Sequence, residues 1–85
     1  MLINHSNRQF KTTRGSDVHR DGMFLELSEA ESSDVLMEIF YSDTDGSFNF
    51  AGFECGSVPL DVIEQFILEA RHFLPPSPSV AAQAS

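Results

Sequence analysis

At 85 residues the chain has room for a single domain. A content of 41% hydrophobic and 11% aromatic residues supports a small core and excludes wholesale disorder. The formal charge of −8, from 13 acidic against 5 basic residues, argues against a nucleic-acid ligand, whose phosphates require clustered Lys and Arg.

The charge is uneven along the chain. Residues 1–22 read as a basic, partly ordered arm: Arg8, Lys11, Arg14 and Arg20 precede all but one acid, Asp17. Within it, residues 8–13 (RQFKTT) read as a short strand with Phe10 as its one large apolar residue. Residues 14–22 (RGSDVHRDG) read as a polar loop punctuated by Gly15 and Gly22. The α+β domain is expected over residues 23–74. Its first strand is MFLEL at 23–27, followed by a polar connection, SEAESSD. The strongest strand is VLMEIFY at 35–41, rich in β-branched and aromatic side chains. A turn at 42–47 follows, in which Asp45-Gly46 supplies the φ > 0 position, and FNFAGF at 48–53 returns as a hairpin.

Pro59 opens a helix whose apolar positions Leu60, Ile63, Ile67, Ala70 and Leu74 recur at three- and four-residue spacing, widened by Val62, Phe66 and Phe73. Asp61 and Glu64 suit the positive end of its dipole, Arg71 and His72 the negative end. Pro75-Pro76 stops it, and residues 75–85 read as a disordered tail. The predicted architecture is an antiparallel β-meander of three to four strands, packed on one face by a single C-terminal helix.

Strand alternation divides the apolar residues between two sheet faces. Met23, Leu25, Leu27, Val35, Met37, Ile39 and Tyr41 share one, and a turn of even length adds Phe48 and Phe50 to it. This set is expected beneath the helix. The opposite face carries Phe24, Leu36, Phe40 and Phe53 among Glu26, Glu38, Asn49 and Ala51. Two fates are open for it: cover by the N-terminal segment through Phe10, or use as a contact surface in which Phe24, Leu36, Phe40 and Phe53 bind a partner. Glu26 and Glu38 are expected opposite one another, a like-charge pair that calls for a cation, supplied by Lys11 or an arginine of the arm.

No catalytic or metal-binding set is read. Asp43, Asp45 and Gly46 resemble part of a calcium loop, but aligning Gly46 with its glycine puts Tyr41 and Gly52 at ligand positions. Cys55, the single cysteine, precedes the helix, where a thiolate is favoured, yet His5, His19 and His72 are poorly placed to act as its base. No cofactor is expected, and no stretch reaches membrane-spanning length. The absence of a signal-peptide pattern and of paired cysteines points to the cytoplasm. The expected function is a noncatalytic interaction domain whose partner is another protein or a second copy of itself. The alternatives are an immunity- or inhibitor-type protein capping a basic enzyme, and a small ligand-binding protein or enzyme with a pocket near Cys55.

Overall fold

Two apolar runs flank the polar residues 43–46, and the chain reverses there. In the computed structural model, which describes residues 2–5, 7–32, 34–53 and 56–76, Ser42 N–H donates to the Ser47 carbonyl at 2.9 Å. Gly46 adopts φ 72°, a conformation that a Cβ would oppose, and its N–H donates to the Ser42 carbonyl at 2.8 Å. The four-residue loop is even in length, and the register Tyr41↔Phe48, Ile39↔Phe50 follows from it. Phe48 and Phe50 therefore join the helix-side face, as the alternation predicts.

The sheet has five strands in simple meander order, all antiparallel: β1 (Leu2–His5), β2 (Arg8–Asp17), β3 (Gly22–Glu29), β4 (Val35–Ser42) and β5 (Phe48–Gly52). One helix, α1 (Leu60–Phe73), packs against one face. The α+β meander under a C-terminal helix is the predicted architecture, with more strands than predicted.

The additional strand length lies in the N-terminal segment. β2 runs through Asp17, so residues 14–17 are strand rather than loop, and β1 pairs outside it through Ile3↔Phe10. The reason is visible in the polar side chains. Arg8 donates to the Ser57 carbonyl at 3.0 Å and to Glu29 at 2.8 Å, and Thr12 donates to Glu69 at 2.7 Å. Arg14 lies 5.2 Å over the Phe73 ring. Three of these four contacts, the Glu29 bond aside, tie β2 to α1 or the segment leading into it, so β2 needs only Phe10 as an apolar anchor. Phe10 is fully buried under α1. The segment thus extends the sheet and does not fold across its second face.

The turn into β3 is built by Asp17, whose carboxylate accepts the N–H groups of His19 and Arg20 at 3.0 and 3.1 Å. Gly22 follows, where a Cβ would strike the Tyr41 carbonyl oxygen and the Phe40 ring. Between β3 and β4 the register shifts at Leu27/Ser28, a bulge that closes the sheet opposite the hairpin ends.

The core consists of Ile3, Phe10, Leu25, Leu27, Met37 and Ile39 from the sheet, facing Val62, Phe66, Ala70 and Leu74. These helical residues form a single i, i+4 row. The expected stripe through Leu60, Ile63 and Ile67 is corrected accordingly: Leu60 is 68% exposed, Ile67 is exposed, and Ile63 only borders the core. α1 has apolar residues around most of its circumference, so periodicity alone does not say which row meets the sheet. Pro59 lies just before the first turn, its carbonyl accepting the N–H groups of Val62 and Ile63 at 3.0 and 3.2 Å. Leu74 closes the helix through its N–H to Ala70, and Pro75-Pro76 follows. The tail from residue 77 onward lies outside the described residues.

Candidate interaction surfaces

The second sheet face carries the four residues expected to contact a partner, and the structure sorts them into two pairs. Phe24 stands opposite Phe40 at one end. Leu36 and Phe53 are joined at the other, where Phe53 N–H donates to the Leu36 carbonyl at 3.0 Å. Glu38 sits between them on β4, opposite Glu26.

The first pair is fitted into its own sheet. The Phe24 ring covers Gly15, where a Cβ would lie 2.6 Å from Cζ, and the Phe40 ring covers Gly22 in the same way at 2.5 Å. Arg20 then closes over Phe40, its guanidinium 4.2 Å from the ring centroid. The same guanidinium donates to both oxygens of Glu38 at 3.0 and 2.9 Å and to Asp17 at 2.6 Å. Phe40 is left only 9% exposed, while Phe24 and Leu36 are half-buried and Phe53 is 49% exposed. The cation required between Glu26 and Glu38 is therefore Arg20, delivered by the β2–β3 turn. Hydrogen bonds from Arg20 hold the Asp17 carboxyl below the usual carboxylate range, and the paired carboxylates of Glu38 and Asp17 raise the Arg20 guanidinium further above its already high value. Hydrogen bonds from the Ser47 hydroxyl and N–H lower Asp45 likewise, an arrangement that serves the hairpin turn.

A different apolar strip opens where α1 meets β5. Phe50 faces the helix side, as its register requires, yet it is 59% exposed. Geometry accounts for this correction to its expected burial. Five strands at about 4.8 Å spacing are nearly 20 Å across, twice the roughly 10 Å width of a helix. α1 seals the core above the more central strands and stops short of the β5 edge. A groove of about 220 Å³ results, lined by Ile39, Phe48, Phe50, Ile67, Ala70 and Arg71 among others. Phe48 is fixed there by an edge contact with Tyr41 at 5.1 Å and by Arg71 over its outer surface at 5.1 Å. The sequence signal for this strip is that β5 ends the hairpin and that the apolar row following it is a single helix, too narrow to cover every strand.

The titratable groups are dispersed. His5 approaches Asp61 at 3.7 Å, His72 stacks edge-on against Phe73, and the His19 backbone belongs to the β2–β3 turn. Among the described residues, no three of His, Cys, Asp and Glu converge on a common point. Cys55 and Glu54 lie outside the described residues. A second concavity holds Thr12, Arg14, Glu69 and Phe73; there Glu69 Oε2 accepts from Thr12, and Oε1 is buried without a hydrogen-bond partner among the described residues. No described helix is long and apolar enough to cross a membrane. No protein-family model matches the chain, and no curated protein or solved structure shows significant similarity to it.

Proposed function

We propose that this chain is a noncatalytic protein-interaction domain that binds through the strip formed by β5 and the adjacent side of α1. The observation that carries the reading is Phe50: a large aromatic side chain 59% exposed beside an open groove, on a strand whose outer backbone edge has no neighbour among the described residues. Exposed aromatic residues next to unpaired strand edges are characteristic of surfaces that bind by strand addition or edge docking. Phe53, 49% exposed just beyond β5, extends the surface, and Leu36 adjoins it on the second face.

Benzoylphenylalanine placed at position 50, and irradiated in cells expressing the full chain, tests this. Covalent protein adducts are expected at position 50 and not at Gln65, which is exposed on α1 and, two residues from Ile67, turned to the other side of the helix. Adducts no more abundant at 50 than at 65 would overturn the reading.

A second reading, capture of a basic enzyme, draws on the other end of the sheet. Asp43 N–H donates to the Asp21 carbonyl at 2.9 Å, which brings Asp21, Asp43 and Asp45 together at the hairpin ends. Crosslinks to a basic protein from position 43, with none from position 50, would favour it.

A further inference from the structure

We propose that the partner at this strip is a second copy of the chain, paired antiparallel along the free edge of β5 about a two-fold axis at Phe50. Two five-stranded sheets would then continue as one. The proposal rests on the interaction reading above and names its partner.

The direction of the backbone groups is the first argument. In an antiparallel ladder, alternate residues exchange both of their hydrogen bonds with the same neighbour. Ser47 accepts from Ser42, and Phe53 donates to Leu36. With the register running from Tyr41↔Phe48 to Met37↔Gly52, Asn49 and Ala51 must also bond to β4. Phe48, Phe50 and Gly52 therefore turn their N–H and C=O groups outward. A two-fold axis at Phe50 sets Phe50 against its counterpart and Phe48 against the counterpart of Gly52. Every outward donor then meets an outward acceptor. A shift of one residue would instead face these groups with residues already bonded to β4. The bulky Phe48 meets a position without a side chain.

Charge is the second argument, and it selects a second copy over a basic partner. Each copy carries −8, so two copies repel wherever their acids face each other. Residues 46–53 (GSFNFAGF) contain no charged residue. They also contain no proline or lysine, the devices that blunt an edge strand. The charged group lining the groove is Arg71, a cation, so a basic protein gains no electrostatic attraction there, whereas a second, net-acidic chain meets no acid–acid repulsion along β5. On the helix side, Phe50 and Ile67 of each copy would roof the same seam between two helices. The opposite edge is less suited: β1 has four residues, and its His5 is engaged with Asp61.

Residue-resolved amide exchange on the full chain, from low micromolar to near-millimolar concentration, tests the pairing alongside light scattering. The Asn49 and Ala51 amides should be slow at every concentration. Those of Phe48, Phe50 and Gly52 should slow as dimer appears, by roughly tenfold when one chain in ten remains free. Phe50→Asp should give a monomer with an unchanged circular-dichroism spectrum. Phe50→Pro should do the same, since it removes an N–H that the register turns away from β4. A dimer whose three outward amides still exchange as in dilute solution would overturn the proposal and assign association to another face. A monomer at every concentration would also overturn it. In that case adducts to a different protein at position 50 would leave the broader interaction reading standing, and their absence would remove both.

Discussion

Arg20 satisfies three neighbours at once. It neutralises Glu38 opposite Glu26, anchors the Asp17 turn, and covers the Phe40 ring. Because the guanidinium is nearly half exposed, solvent screens much of this, and Arg20→Ala should cost about 1 kcal/mol in urea melts. Adding Glu26→Gln should recover part of the loss by removing the like charge, and a cycle with no coupling would show that the two carboxylates do not sense each other. Asp17 adds a pH dependence of definite sign. Its folded-state pKa is depressed, so its contribution is complete above the ordinary carboxylate value and is lost as pH falls through the lower folded value. Stability should decline on acidification, and Asp17→Asn should flatten that decline when urea midpoints are followed with pH. The need for a cation near Glu38 is legible in the sequence, since alternation puts two glutamates face to face. Its delivery by Arg20 depends on the conformation of a four-residue turn, which composition does not reveal.

Two glycines set how closely the strands and rings approach. An added methyl at Gly15 meets only the tip of the Phe24 ring, which can swing away; at Gly22 it meets the Tyr41 backbone as well as Phe40. Gly22→Ala should therefore cost about 2–3 kcal/mol and Gly15→Ala less than half of that, read from denaturant midpoints. On α1, the buried row predicts a similar contrast. Phe66→Ala should cost about 3–5 kcal/mol, enough to unfold much of a marginal domain, whereas Leu68→Ala should fall within about 0.5 kcal/mol of the parent. The strands from 23 to 53 and the helix are readable in the sequence because their apolar residues recur with the right period. β1 and residues 14–17 of β2 are not: β1 is held by pairing to β2 with Ile3 opposite Phe10, and β2 itself is fastened by Arg8, Thr12 and Arg14 reaching to α1 and its approach. Such long-range polar contacts leave no periodic trace. The true helix face is hidden for the opposite reason, an excess of apolar positions.

Across the whole molecule, the acidic surplus works against compaction. Moderate NaCl should raise the melting temperature by a few degrees, because screening the self-repulsion of a −8 chain outweighs weakening the Arg20 cluster. A fall in melting temperature would assign the larger share to that cluster. The interaction strip was only half legible at this scale: register places Phe50 on the helix side, but its exposure comes from the mismatch between one helix and five strands. The order of elements has a consequence for biosynthesis. Every strand pairs with its neighbour in sequence, so the sheet can assemble as it leaves the ribosome, yet its cover, α1, is translated after all five strands. At roughly 5–20 residues per second, the stretch from Gly52 to Phe73 takes on the order of a second or more to emerge. During that interval Leu25, Leu27, Met37 and Ile39 face water, and a chaperone competes with the unborn helix for the same surface.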